Sequence, residues 1–254
     1  MVDAMEMLQA LFRWLRVLAG IVWIGHLYFF NFVNAPVEGT LDGDAKKKVV
    51  PQLRPRALYW FRWGAAWTWI TGVLLLLLVF YHGQLVFDMG RGWNLMGGIM
   101  VAVTFLAFAV YDPIAKMEFA KNNKQMAGVA FVGVILVIYG YQVAGFSYRS
   151  YVIHTGALFG TLMAANVWMR IWPAQQKIIA AIRDGQAPDA ALVARAGQRS
   201  RHNTYMSVPL LWMMINSHTT VPFASTFLWL IFMVGAAWGG TMLLYKKAAT
   251  IKGL

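Results

Sequence analysis

Long apolar runs, separated by short polar connections, dominate the pattern along this 254-residue chain. Seven of them approach the roughly 20 apolar residues that an α-helix needs to cross the hydrocarbon core of a bilayer. They cover about residues 8–34, 57–81, 93–111, 126–143, 151–172, 205–218 and 223–245. Lipid offers no hydrogen-bond partner to an open sheet edge, and no run alternates as a barrel strand does. The pattern therefore predicts an all-α integral membrane protein, a single domain built as a bundle of seven transmembrane helices.

The basic residues predict how this bundle is oriented. Of the 22 Lys and Arg residues, all but Arg13, Arg16, Arg91 and Arg149 lie in connections 1–2, 3–4 and 5–6 or at the C-terminus. Cytoplasmic connections of membrane proteins carry an excess of Lys and Arg. We therefore expect the N-terminus outside and the C-terminus in the cytoplasm. Between spans 5 and 6, "AQQKIIAAIRDG" and "APDAALVARAGQRSR" predict a cytoplasmic helical hairpin that turns near Gly185.

Composition supports a lipid bilayer as the surroundings of this chain. Hydrophobic residues make up 59% of it and charged residues 13%, whereas soluble domains have about 25% charged residues. The net charge of +12 then fits membrane orientation better than binding to nucleic acid, which is not expected. The chain has no cysteine, which excludes disulfides, thiolate metal sites, iron–sulfur clusters and covalently attached c-type haem.

Five histidines are the only strong neutral nitrogen ligands in the chain. The predicted topology puts His82, His154 and His218 at the outer side, and His26 and His202 nearer the cytoplasm. Residues 202 and 218 would be about 24 Å apart on one helix, which favours two stacked sites over one. Histidines from facing helices commonly hold b-type haem. We therefore expect one or two haem b groups, with His26, His154, His202 and His218 as candidate iron ligands.

Each histidine also has an ordinary explanation. His82 suits a solvated loop, His218 a helix end in water, and His202 a contact with lipid headgroups. His154 begins an apolar helix near an interface, where both interpretations are open. His26 lies well inside an apolar span, where ionisable residues usually face the bundle interior and mark function. It is the hardest of the five to explain without a ligand or a substrate.

Three stretches carry a family resemblance: "WIGHLYFFNFVN" around His26, "HTGALFGTLMAANVWMRIWPAQQ" from His154, and "RSRHNTYMSVPLLWMMINSH" from Arg199 to His218. They resemble the membrane domain of PuuD-type urate hydroxylases, also called the urate oxidase N-terminal domain. The resemblance implies a multi-pass protein of the bacterial inner membrane, linked to purine catabolism. Such enzymes hydroxylate urate to 5-hydroxyisourate and typically carry a C-terminal cytochrome c. This sequence has no C-x-x-C-H motif, so we expect the cytochrome c to be a separate subunit, or a different activity.

A urate site would need particular residue types, because urate is a planar anion. Arg or His donors, an amide from Asn31, Asn34 or Asn166, and aromatic walls such as Tyr28 and Trp168 would suit it. The same residues could seat a quinone or surround a haem.

Three functions are therefore open. The first is a urate-hydroxylase-like oxidoreductase that holds haem b and passes electrons to a cytochrome c. The second is a non-catalytic haem b subunit or anchor of a larger respiratory complex, which exchanges electrons with quinone. The third is a transporter or structural membrane protein with incidental histidines. The third leaves His26 and the histidine-bearing family motifs unexplained.

Overall fold

The computed structural model of the chain describes residues 3–216 and 226–251. Within these ranges 85% of the chain is helical and no strand is present; a single isolated bridge pairs Phe87 with Phe146. The helices are α1 Ala4–Tyr28, α2 Ala35–Thr40, α3 Gly43–Leu76, α4 Leu95–Leu106, α5 Phe108–Ile114, α6 Asn123–Val143, α7 Tyr148–Asn166, α8 Trp172–Arg183, α9 Ala190–Asn216 and α10 Phe227–Ala248. The all-α prediction is confirmed for this part of the chain.

Three π-helical turns join or extend these helices into long rods. The turn Phe29–Asn34 joins α1 to α2, Leu77–Tyr81 extends α3, and Val167–Ile171 joins α7 to α8. The first rod, Ala4–Thr40, has 37 residues and would measure about 55 Å, which exceeds a hydrocarbon core of about 30 Å. One end of each rod must therefore project beyond the lipid. Short π-helical turns often occur at functional sites.

Five of the described helical segments are long and apolar enough to cross a membrane: Ala4–Thr40, Gly43–Tyr81, Asn123–Val143, Tyr148–Arg183 and Phe227–Ala248. A sixth results if α4 and α5, bent by 53° at their junction, are one span. These segments contain the predicted spans 1, 2, 4 and 5 and most of span 7, whose residues 223–225 lie outside the described ranges, and the bent pair contains most of span 3. The predicted sixth span, 205–218, begins in α9, and its last two residues lie outside the described ranges. The structure thus supports five or six spans, and the seventh stays a prediction.

The predicted helical hairpin is formed by α8 and the first half of α9. Ala174 and Ile178 of α8 pack against Ala196 of α9 in a small apolar cluster. The chain turns at Gly185, whose φ of +72° suits a residue without a side chain. We call this end of the bundle, which also holds residues 115–122, the hairpin end. The opposite end, with the Phe87–Phe146 bridge, is the bridge end.

A single large apolar core holds the bundle together. It draws fully or nearly fully buried side chains from six helices: Trp23, Leu58, Ile138, Phe159, Met213 and Leu230. The backbone of α1 closely approaches Gly64 of α3, where a Cβ atom would lie 3.0 Å from the backbone nitrogen of Trp23. This close contact fixes α1 against α3, and both helices lead directly to the candidate sites.

Candidate functional site

Asp112, near the end of α5, gathers three cations at the hairpin end. Its carboxylate accepts hydrogen bonds from Arg170 Nε at 2.7 Å and from Arg199 Nη2 at 2.9 Å. Lys116 Nζ lies 2.6 Å from the second oxygen. Because one buried carboxylate faces three cations, the cluster keeps an excess of positive charge. The sequence pattern alone did not indicate this role of Asp112.

Arg199 is the most buried cation of this cluster, with no exposed surface. Its Nη2 donates to the carboxylate and to the backbone carbonyl of Asp112, at 2.9 and 3.1 Å. Its guanidinium carbon lies 4.9 Å from the centre of the Tyr111 ring. Nε and Nη1 are buried and have no hydrogen-bond partner among the described residues. Buried donors are normally paired, so these two N–H groups call for an acceptor.

A basic cleft of about 970 Å³ opens beside Arg199 at the hairpin end. Its polar lining consists of three amides, five cations and one phenol: Asn31, Asn123, Gln198, Lys116, Lys121, Arg195, Arg199, Arg201 and Tyr245. No Asp or Glu is among its described lining residues. The volume lies in the upper part of the range found for small-molecule sites. The cleft is therefore large enough for a planar organic anion and has the charge to attract one.

The two asparagines of the first π-helical turn have different surroundings. Asn31 lines the basic cleft, where its amide donates to Ser200 Oγ at 2.8 Å and its oxygen accepts from Tyr245 Oη at 3.0 Å. Asn34 is buried and donates to Glu38 at 2.8 Å; Glu38 in turn is paired with Arg54. Asn31 Nδ2 also donates to the carbonyl of Leu27 at 2.9 Å, so both asparagines are engaged in internal hydrogen bonds, and of the two Asn31 lines the cleft.

Asn166 and His202 meet in a buried hydrogen-bond chain between α5, α7 and α9. Asn166 Nδ2 donates to Asn203 Oδ1 at 2.9 Å and to Tyr111 Oη at 3.0 Å. The Tyr111 oxygen lies 2.8 Å from His202 Nδ1. Asn203 Nδ2 donates to the backbone carbonyl of Met163 at 3.0 Å. Through Tyr111, the structure therefore connects Asn166, which was predicted to bind a substrate, with His202, which was predicted to bind haem.

This chain of bonds favours the tautomer of His202 that carries its hydrogen on Nε2, because His202 Nδ1 is the acceptor that the described residues offer to the phenolic hydrogen of Tyr111. Because the Met163 carbonyl can only accept, Asn203 turns its amide nitrogen towards it and its oxygen towards Asn166. Asn166 must then donate, both to Asn203 and to Tyr111. The phenolic hydrogen of Tyr111 is left to point at His202 Nδ1. A neutral imidazole carries one hydrogen, so His202 holds it on Nε2 and offers a donor there.

A cavity of about 440 Å³ lies beside His202 and adjoins the basic cleft. Asn123 and Arg201 line both the cavity and the cleft. An apolar groove of about 500 Å³ continues from the cavity, since both are lined by Tyr111, Met126, Ala130, Met206 and Trp238. The result is an apolar crevice with a polar end formed by Tyr111 and His202.

His154 lies towards the bridge end and is fully buried. Its Nδ1 donates to the Ser150 carbonyl at 2.7 Å, which leaves a lone pair on Nε2. That nitrogen lies 3.0 Å from Tyr81 Oη, so the phenol donates to it. Rings of Phe80, Tyr81, Tyr141 and Phe146 surround the imidazole. His154 therefore has the tautomer that an iron ligand needs, with a lone pair on Nε2, but the four aromatic rings enclose it tightly.

The other histidines stand apart from one another. His26 is half-buried, and its Nδ1 lies 2.7 Å from the carbonyl of Val22, one turn earlier in α1. His82 is exposed in the turn after the α3 rod, in agreement with a solvated loop residue. His218, a predicted haem ligand, lies outside the described residues.

Of the described histidines predicted as haem ligands, namely His26, His154 and His202, none combines a free lone pair with open space in the cavities described above. A ligand histidine needs a lone pair on one ring nitrogen and open space beside it. His26 and His154 have the lone pair, but neither lines the basic cleft, the His202 cavity or the groove. His202 lines a cavity, but its hydrogen-bond chain puts a hydrogen on the nitrogen that remains.

The two predicted aromatic walls pack within the bundle. Tyr28 Oη lies 3.0 Å from Ser207 Oγ, between α1 and α9. Trp168 Nε1 donates to the Arg62 carbonyl at 3.2 Å, and its ring meets Trp63 edge to face. Neither residue lines the basic cleft, whose described aromatic wall is Tyr245.

Fold and site together define a class: an all-helical protein with several membrane-length apolar helices and a basic cleft at one end of its bundle. The chain matches the family described as urate oxidase N-terminal over residues 38–249, which is most of its length, and it belongs to that family. His154, Asn166 and His202 lie within the matched segment, and His26, Asn31 and Asn34 lie before it. No match was found among curated proteins or among solved structures.

Sequence reasoning did not identify Tyr111 or Arg199 as site residues. Tyr111 and His202 are 91 residues apart, so their contact depends on how α5 meets α9. Arg199 was counted only as an orienting charge. A signal was present, because Arg199, His202 and Asn203 follow the i, i+3, i+4 spacing of one helix face. A polar face within a helix that leads into a membrane bundle points to its interior.

Proposed function

We propose that this chain is a membrane oxidoreductase of the urate hydroxylase type, which binds an anionic purine in the basic cleft. One observation carries the proposal: Arg199 is fully buried beside the cleft and keeps two N–H donors for which the described part of the chain offers no acceptor. An acidic oxygen or nitrogen of urate would supply that acceptor and neutralise part of the excess charge around Asp112. Family membership supports urate among the anions of this shape.

Different residues would make different contacts with the bound purine. Arg199 and Arg201 of α9 would bind the anion. Asn31, in the rod Ala4–Thr40, would limit the orientation of the anion from the other wall of the cleft. His202 offers an Nε2 hydrogen to a carbonyl oxygen in the neighbouring cavity. Conversion of urate to 5-hydroxyisourate adds the oxygen of one water molecule and releases two electrons and two protons. The electrons require an acceptor, for which we propose a cytochrome c or another redox subunit.

Haem b remains a proposal for the path of these electrons, and an absorption spectrum tests it. Protein purified from haem-sufficient cells would show a Soret band, with b-type α bands after reduction. Single substitution by Ala of His26, His154, His202 and His218 would then remove part of that signal. A protein without a Soret band under these conditions would rule haem b out.

Urate binding tests the cleft directly. In detergent-purified protein, Arg199→Gln should weaken urate binding at least tenfold, since it removes charged hydrogen bonds worth about 1.5–3 kcal/mol. Arg183→Gln is the matched control, because Arg183 is exposed and pairs with Asp184 away from the cleft. Equal affinities for wild type, Arg199→Gln and Arg183→Gln would contradict a urate site in the cleft.

A second candidate, a non-catalytic electron-transfer or anchor subunit that exchanges electrons with quinone, is favoured by the crevice. Its apolar groove would take the tail, and Tyr111 and His202 would face a ring carbonyl. Urate consumption with an added electron acceptor separates the candidates. Turnover supports the first, and quinone reduction or co-purifying subunits without turnover support the second.

For the surroundings, we propose seven spans in the bacterial inner membrane, with the hairpin end in the cytoplasm. Support comes from the excess of Lys and Arg at the hairpin end and from the apolar helices. The cleft would then take its purine from the cytoplasm.

A further inference from the structure

Arg16 is a charged residue within the apolar first rod. Its neighbours Trp14, Val17 and Ile21 are exposed apolar side chains, as expected for a helix face in contact with lipid. A charge at such a depth is costly and normally faces a partner inside the bundle. Arg16 Nε is buried and has no hydrogen-bond partner among the described residues. Burial of this side chain therefore leaves a donor unsatisfied.

The guanidinium of Arg16 packs against α3 at Gly72, where the absence of a side chain leaves room for it. A Cβ atom built on Gly72 would lie 3.1 Å from Arg16 Nη1 and 3.2 Å from its guanidinium carbon. Any larger residue at position 72 would displace the charged group. The position of the guanidinium is thus set by the backbone of the neighbouring helix.

Two cavities meet at Arg16. The larger, of about 290 Å³, is lined by three arginines from two helices, Arg13, Arg16 and Arg149, and by apolar side chains that include Phe80 and Ile153. The smaller, of about 40 Å³, lies deeper and reaches the polar pair in which Trp69 Nε1 donates to Thr161 Oγ1 at 2.9 Å. Arg16 therefore lies between the larger cavity and the smaller, deeper one.

The charge around the larger cavity is one-sided. None of the chain's ten Asp and Glu residues is among the described lining of either cavity. Arg16 is the partly buried cation of this lining, and a cation in a region of low dielectric is costly without an anion beside it. Most of the remaining lining is apolar, so the anion that fits is attached to an apolar body. The volume is at the lower limit for a whole ligand, so the cavity would hold only the head of one.

We propose that this cavity binds the anionic head group, a phosphate or a carboxylate, of an amphiphilic ligand whose apolar part lies along α1 and α3. Guanidinium groups match both anions through paired N–H donors. The phosphate could come from an anionic phospholipid, and the carboxylate from a small molecule embedded in the membrane. The site lies apart from the basic cleft and does not depend on the proposed activity.

The experiment compares purified wild type with Arg16→Gln and Arg91→Gln. Arg91 is the control, since it lies at the bridge end, is exposed and lines neither cavity. Added phosphatidylglycerol should raise the melting temperature of wild type and Arg91→Gln, and phosphatidylcholine should not. For Arg16→Gln the apparent affinity should fall about tenfold or more, because a charge-assisted contact is lost.

Gly72→Val provides a second variant that keeps every charge but moves the guanidinium, and it should lose the same effect. Solvent extracts of the purified proteins distinguish the two sources. Phospholipid retained by wild type and lost in Arg16→Gln supports the phosphate. A carboxylate-bearing compound lost in the same way, without a lipid effect, supports the carboxylate. If all four proteins respond equally to lipid and yield the same extracts, the proposal is overturned.

Discussion

At the scale of single residues, Asp112 decides where the charges of the hairpin end lie. One buried carboxylate holds Arg170, Arg199 and Lys116, and Arg199 in turn stands over the ring of Tyr111. The same residue therefore positions cations of the basic cleft and, through Arg199, borders the His202 chain. A change at Asp112 would be felt in both.

Asp112→Asn should destabilise the protein, because it leaves the charge of Arg199 buried without compensation. Removal of one partner from a buried ion pair typically costs about 3 kcal/mol or more. Thermal unfolding in detergent measures the loss. The double variant Asp112→Asn with Arg199→Gln should recover part of it, and failure to recover would show that Asp112 acts through its other partners.

Tyr111→Phe should change the hydrogen position on His202 without a change of fold. The phenyl ring still packs under Arg199, but the hydroxyl that donates to Nδ1 is gone, so both tautomers become populated. Nitrogen-15 spectra of the imidazole report this as a shift away from the Nε2–H signature. Tyr139→Phe, at an exposed tyrosine of α6, should leave the spectrum unchanged. A wild-type spectrum dominated by Nδ1–H would contradict the deduced chain.

At the scale of helices, the π-helical turns place the site residues. Asn31 belongs to the first turn, Tyr81 ends the second, and Asn166 immediately precedes the third. An extra residue in a helical turn rotates all later side chains relative to a regular α-helix. The sequence gives no local sign of these turns, because they arise where one rod packs against several others. Helix existence could be predicted from hydropathy, but the facing of Asn31 and Asn34 could not.

Gly64→Ala tests the tight contact between α1 and α3. The added methyl would lie 3.0 Å from the backbone nitrogen of Trp23, which cannot move without the whole helix. We expect a loss of about 1–3 kcal/mol, as for overpacked cores. Gly98→Ala on α4 meets nothing within 4 Å, so it should be neutral or slightly stabilising. Equal melting temperatures for the two variants would refute this contact.

At the scale of the whole molecule, hydropathy and charge predicted much of the architecture. The all-helical bundle and the hairpin follow from run length and helix signals alone. The cavities do not, because they depend on distant contacts such as Gln198 with the carbonyl of Ala120, 78 residues apart. The predicted histidine groups illustrate this difference. The sequence predicts the depth of each histidine along its helix, but it does not predict which face of the helix the ring occupies.

The orientation can be measured on single introduced cysteines, since the chain has none of its own. Met89→Cys, at the fully exposed bridge end, should react in intact cells with a maleimide that cannot cross the inner membrane. Lys121→Cys, at the hairpin end, should react only after the cells are permeabilised. Labelling in the reverse order would invert the proposed topology, and the cysteine-free parent controls for background.

The chain of bonds from Met163 to His202 limits how protons can travel through the bundle. Amide groups donate hydrogen bonds but do not release their hydrogens at ordinary pH, so Asn203 and Asn166 cannot relay a proton. Tyr111 could pass one proton to His202, but nothing behind it would replace that proton. A proton therefore cannot reach His202 along this chain of bonds from the Met163 end. Any proton that His202 gains or loses during turnover must pass through Nε2 and the cavity, on the same side as the ligand it would serve.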